Sequence, residues 1–217
     1  MDIENLAVKA VMILVPMILS LSVHEYAHAR VAFALGDDTA ASQGRMTLNP
    51  LSHIDLFGTI LIPLFGLSTG WAMIGWAKPV PVSPWRLTRR MSVQRAHALV
   101  AVAGPLSNIL LAIIAGFLIH ALGVGTSLSG RSGQAFSYFI QIIFLMNIGL
   151  AVFNFLPLYP LDGSRLLPPQ LQMKMARYSF LVFVGFLLMI NFAPGILIVP
   201  IQLIASGILW ITGVPFG

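Results

Sequence analysis

The 217-residue sequence predicts an all-α polytopic membrane protein, and three observations carry that expectation. Hydrophobic residues make up 58% of the chain and charged residues only 9%, where a soluble domain carries about 25% charged. Mean hydropathy is +0.90. The apolar runs are too long for strands and lack the roughly ten-residue alternation of a membrane barrel, so the spans are helices, which satisfy their own backbone groups in lipid.

Five stretches fill a window of about 20 apolar residues: 6–34, 98–121, 136–156, 177–192 and 195–212. The first is not expected to be a cleaved signal peptide. Its leader "MDIEN" is acidic, and the one cleavage-like sequence, "AHA" at 27–29, would cut through a histidine pair. The last two are joined by Ala193, Pro194 and Gly195 alone, which predicts a C-terminal helical hairpin over about 177–212. A sixth stretch, 57–76, is interrupted by Gly58, Pro63, Gly66, Gly70 and Gly75. It is expected to enter the membrane and return, the alternative being a sixth crossing. Between them, "GRMTLNP" at 44–50 alternates as a short strand would, and "WAKPVPVSP" at 76–84 is held extended by its prolines. These two segments predict a small β-like, membrane-associated loop. The whole of 1–217 reads as one domain, with a core over about 6–167.

The chain holds 12 Lys and Arg against 7 Asp and Glu, a net charge of +5. The basic residues sit in short loops between apolar spans, so they report membrane orientation and not nucleic-acid binding. With 57–76 re-entrant, ten of the 12 fall on one side and only Lys9 and Arg131 on the other. With a sixth crossing the division is nine to three. The positive-inside rule therefore favours the re-entrant form and an external N-terminus; the expected location is a cell (plasma or inner) membrane. There is no cysteine, which excludes a disulfide framework and a thiolate metal site.

Residues 20–36, "SLSVHEYAHARVAFALG", set two histidines and a glutamate inside the first span. An ionisable group in hydrocarbon costs about 2.5–3.5 kcal/mol on insertion scales, so it signals function. His24 and His28 are four apart and project from one helix face, where two imidazoles share one metal ion. Glu25, one position on, reaches a water at that ion without being a ligand. H-E-x-x-H on a helix thus supplies two zinc ligands and a general base for hydrolysis. A third ligand must come from elsewhere. The candidates are His53, His97, His120, Asp37, Asp38, Asp55 and Asp162, and of the carboxylates only Asp162 and Glu25 lie against apolar sequence. Pro157 and Pro160 break the third span next to Asp162, which would let its side chain enter a cavity; a capping role beside Arg165 is the alternative.

These residues, with "LGDDTA" (35–40), "GRMTLNPLSHIDLFGT" (44–59), "GWAKPVPV" (75–82), "AGPLSN" (103–108) and "FNFLPLYPLDGSRLL" (153–167), resemble the site-2 protease family of intramembrane zinc metalloproteases, in its short form without PDZ or CBS domains. The resemblance covers residues 20–167 nearly continuously. It implies one Zn²⁺ per chain held by His24, His28 and Asp162, with Glu25 as base and Asn154 orienting substrate or stabilising the oxyanion. The implied activity is hydrolysis of a peptide bond within or near a transmembrane segment of a membrane-protein substrate. It would serve regulated intramembrane proteolysis or clearance of membrane-embedded remnants; the count of basic residues turns the active site toward the cytoplasm. Such a substrate and the lipid bilayer are the implied partners. Asn108 is expected to be structural, and His53 and Asp55 either cavity residues or loop-formers. Leu56, Ser83 and Ser164 depart from the family pattern, which expects proline, asparagine and glycine there, but remove no ligand. The competing class is a membrane divalent-metal transporter or a metal-binding scaffold, which would need the ligands and not the base.

Overall fold

The computed structural model describes residues 3–69, 75–87, 91–123 and 130–214. Eight helices are described: α1 (Ile3–Ala34), α2 (Thr39–Ser42), α3 (Ile62–Thr69), α4 (Val93–Ala121), α5 (Gly130–Phe155), α6 (Pro169–Arg177), α7 (Ser179–Phe192) and α8 (Gly195–Thr212). A π-helical turn, Leu56–Leu61, leads directly into α3. Among the described residues there is no strand.

Four helices, α1, α4, α5 and α8, are long and apolar enough to cross a membrane. The expected span 177–192 is shorter than anticipated, because the chain breaks at Tyr178 between α6 and α7 and again at Ala193–Pro194. Its 14 residues reach about 21 Å at 1.5 Å each, less than the roughly 30 Å of bilayer hydrocarbon. The helix α6 was not expected at all. It is a basic, amphipathic helix of about two and a half turns opened by Pro168 and Pro169, too short and polar to register as a span.

The core is an inside-out bundle. Val8, Val11, Val15 and Leu19 form an exposed apolar stripe along α1, while Ser20, His24, His28, Asn108 and Asn147 are buried between α1, α4 and α5. Small residues bring these helices close: Ala29, Ala32, Ala96, Ala101, Ala112 and Ala115 are all buried. Without a hydrophobic drive in lipid, such close backbone approach is what holds helices together. On the far side Ile140, Phe144, Ile148 and Val152 of α5 pack on Ala205 and Ile208 of α8.

The expected strand at 44–50 is a run of turns. Gly44 takes a left-handed φ of 66°, Arg45 N–H returns to the Ala40 carbonyl at 2.8 Å, and the Asn49 side chain caps Leu51 N–H at 3.1 Å. These local bonds consume the groups a ladder would need. The second segment, 76–83, is extended as expected, but as a single strap.

Residues 70–74, inside the 57–76 stretch, lie outside the described residues. The two ends of that stretch nevertheless meet. Trp76 N–H donates to the Gly58 carbonyl at 3.1 Å, and the Thr59 hydroxyl donates to the Trp76 carbonyl at 2.8 Å. The Trp76 indole covers Gly58 so closely that any side chain at 58 would collide with it. Residues that exposed Leu48 and Trp85 represent, before and after this loop, should therefore share one membrane face. Single cysteines at 48 and 85, in a chain that has none, are expected to react with a membrane-impermeant thiol reagent from the same side. Labelling from opposite sides would mean that 57–76 crosses.

Candidate metal centre

Helix α1 continues through the histidine pair, and its four-residue spacing places both rings on the face turned to α4. His24 Nδ1–H donates to Asn108 Oδ1 at 2.6 Å. His28 Nδ1–H donates to the Val100 carbonyl at 2.7 Å. With both Nδ1 atoms engaged, both Nε2 lone pairs face inward, the arrangement by which second partners fix a metal-ligating tautomer.

Asp162 arrives from the other end of the chain. Pro157 stops α5, and the loop folds back so tightly that a Cβ on Gly163 would strike the Phe155 and Leu156 carbonyls. Ser164, where a second glycine was expected, is buried and donates to the Leu161 carbonyl at 2.6 Å, so the departure closes the turn and does not disturb it. Asp162 Oδ1 accepts from Arg165 Nη1 at 2.8 Å. Its Oδ2 lies 3.0 Å from His24 Nε2 and 3.0 Å from His28 Nε2, which are themselves 3.0 Å apart.

Two nitrogens and one carboxylate oxygen thus form an equilateral triangle. Ligands on tetrahedral zinc with arms of about 2.0 Å stand about 3.3 Å apart, so the triangle is close to that size. Three lone pairs at this distance repel one another unless positive charge sits between them, and a divalent cation supplies it. Gly104 of α4 completes the fit: a Cβ there would collide with Nε2 of both histidines. The donor set suits zinc.

A cavity of about 680 Å³ opens beside the triangle. Its walls are Leu21 of α1, Gly75–Val82 of the strap, Leu150, Phe153 and Asn154 of α5, the Leu158–Asp162 loop, and Phe180 and Phe186 of α7. Glu25 is buried on its rim, with Oε2 accepting from Val80 N–H at 2.8 Å. Asn154 lines the same cavity, one of its amide hydrogens donated to the Leu150 carbonyl at 3.0 Å.

The other expected candidates lie elsewhere. His53 is buried in the 44–55 loop with Nε2–H donated to the Thr47 carbonyl at 2.8 Å, and Asp55 caps the following helix through Gly58 N–H at 2.7 Å; neither lines the cavity. Asp38 pairs with Arg86 at 2.6 Å. Asp37 is buried and accepts from Ser83 N–H at 2.6 Å and from the Thr39 hydroxyl. His97 and His120, on α4, are not among the side chains that form the triangle.

Asn108, expected to be structural, touches a ligand directly. Behind it Nδ2 donates to Asn147 Oδ1 at 2.9 Å, and Asn147 Nδ2 donates to Ser20 Oγ at 2.9 Å. This network across α4, α5 and α1 was missed by sequence reasoning, although Asn147 in "FLMNIG" carried the signal of a polar residue in an apolar span.

Comparison with known proteins agrees. The model of "Peptidase family M50" matches residues 12–193. The chain belongs to peptidase family M50. YwhC of Bacillus subtilis (strain 168), named as a candidate zinc metalloprotease, is 44% identical over 183 residues, 79% of this chain and 77% of its own length. Rip2 of Mycolicibacterium smegmatis, named likewise, is 28% identical over 167 residues, and Rip2 of Mycobacterium tuberculosis H37Rv is 30% identical. The match covers 77% of this chain and 60% of each Rip2 protein. No solved structure matches. The resemblance read from the motifs is thereby borne out, and the M50 chain is a metalloprotease with zinc as its cofactor.

Two substitutions test the centre by metal content alone. Asn108→Ala should weaken zinc binding by about 10- to 100-fold in chelator competition. Gly104→Ala should prevent uptake, since its methyl group occupies the space between the imidazoles.

Proposed function

We propose that this M50 protein is an intramembrane endopeptidase that cleaves a peptide bond within or near a transmembrane segment of another membrane protein. The single observation that carries the reading is Glu25 on the rim of an apolar cavity, next to the His24, His28 and Asp162 triangle, within the apolar stretch of α1. A metal site for transport or storage has no use for a carboxylate at the second position of the pair.

His24 and His28 bind through Nε2 and Asp162 through Oδ2, with Glu25 as general base. A zinc ion held there supplies Lewis acidity, acidifying water and polarising the scissile carbonyl. Glu25 takes the proton from the attacking water and passes it to the leaving amine nitrogen. Among the described residues Asn154 donates one amide hydrogen, to the Leu150 carbonyl, and we assign the other to the substrate carbonyl oxygen as charge develops there. The apolar walls, with Phe153, Phe180 and Phe186, suit a hydrophobic substrate segment and keep bulk water out. A helical substrate must unwind first, and the extended strap at 76–83 is the element along which an unwound chain can lie.

In this reading residues 1–217 are one domain in the cell membrane, with the short α7 as a fifth span beside α1, α4, α5 and α8 and with 57–76 re-entrant, the contact between Trp76 and Gly58 supporting the return. The N-terminus is external and the cavity faces the cytoplasm, as the distribution of basic residues favours.

Purified Glu25→Gln protein should keep one zinc per chain and cleave a single-span substrate at least about 100-fold more slowly. His28→Ala and Asp162→Ala should lose both metal and cleavage. If Glu25→Gln instead alters zinc flux into vesicles and no substrate is ever cut, the protein is a transporter.

A further inference from the structure

We propose that the main-chain N–H of Val80 orients Glu25 for proton transfer, making Val80 a positioning residue. The inference rests on the hydrolytic role just assigned to Glu25. A residue one position beyond His24 points about 100° away around the helix, and a glutamate side chain has three torsions to set. Some fixed group must therefore bring its carboxylate to the metal side. Among the described residues, Val80 N–H, 2.8 Å from Oε2, is the one hydrogen-bond donor to that carboxylate. Holding Oε2 leaves Oε1 to receive the proton.

The sequence around Val80 makes this donor singular. In "KPVPV" residues 79 and 81 are proline and carry no N–H, so Val80 offers the one amide hydrogen between Lys78 and Val82. Pro81 also biases the residue before it toward extended backbone. The strap is pinned on both sides of this point. Lys78 N–H donates to the His53 carbonyl at 2.8 Å, Arg45 Nη2 donates to the Lys78 carbonyl at 2.7 Å, and Ser83 N–H donates to Asp37 Oδ2 at 2.6 Å. The Val80 side chain packs with Ala29, Ala40 and Met46. The loop that carries His53, the Asp37 turn and Arg45 thereby have a shared consequence: they fix the position of one amide hydrogen.

The test compares Val80→Pro, which removes the N–H and remains compatible with extended backbone, with Val80→Ala, which keeps it and reports the loss of the side chain. Both full-length proteins are loaded with zinc and assayed on a single-span substrate. Val80→Pro is expected to show a kcat at least about tenfold below that of Val80→Ala, with KM and zinc content alike in the two. Equal kcat values would overturn the proposal. A second measurement needs no turnover: hydrogen exchange in a peptide covering 79–81, where the prolines contribute no amide and Val80 is the sole reporter. Exchange at Val80 should speed up by about tenfold in Glu25→Ala relative to wild type, and an unchanged rate would overturn the contact. If Val80→Pro fails to fold, this exchange result decides. A zinc-loaded wild type that cleaves nothing would overturn the proposed activity and the positioning role with it, while exchange would still show whether Val80 holds Glu25.

Discussion

Two imidazoles four residues apart can offer both Nε2 atoms to one point only if other groups take both Nδ1 hydrogens. In this protein α4 does so twice, with Asn108 Oδ1 for His24 and the Val100 carbonyl for His28. Val100 and Asn108 are two turns apart on the same helix, so a single packing distance between α1 and α4 sets both rings. That distance is short because the contact residues are small, and at Gly104 there is no side chain at all. The metal centre is therefore a property of how closely two helices approach. Polar groups buried without partners cost about 1–3 kcal/mol each, so the chain of Ser20, Asn147, Asn108 and His24 also gives the bundle one preferred register.

The third ligand obeys a different constraint. A side chain projecting from a continuous helix would meet the histidines at only one angle, whereas Asp162 comes from a helix end. Pro157 frees the backbone at that point, and the tight return through Gly163 brings the carboxylate under the end of α5. Arg165, three residues on, occupies Oδ1 and leaves Oδ2 for the triangle. Irregular backbone at membrane depth is tolerated where protein covers it, and here it is the means of delivering a charge to the bundle interior.

How much of this was legible follows from the range of each signal. The pair at His24 and His28 and the lone aspartate at a proline break are local patterns, and the structure brings these three side chains together. The last helix was bounded as found, at 195–212, because Pro194 and Gly213 punctuate it. By contrast 177–192 met the hydropathy window while yielding a 14-residue helix, since hydropathy does not register the break at Tyr178. The strand expected at 44–50 was lost to local turn chemistry at Gly44 and Asn49, which alternation of side chains cannot reveal. Asn108 and Asn147 were present as polar residues in apolar spans, but their meaning depends on which helices face one another.

The proposed re-entry of 57–76 joins these constraints to chemistry. The strap lies beside the metal centre, and the bonds of Trp76 to Gly58 and Thr59 bring the two ends of 57–76 together, as a return to the same side requires. Had residues 57–76 formed one straight transmembrane helix, residue 80 would lie about 30 Å from the level of residue 57, out of reach of Glu25. The glycines and Pro63 weaken this stretch as a span, which is what a fold-back requires. The stretch whose sequence blurs the count of spans thus leads directly into the rigid, proline-flanked backbone that holds Glu25.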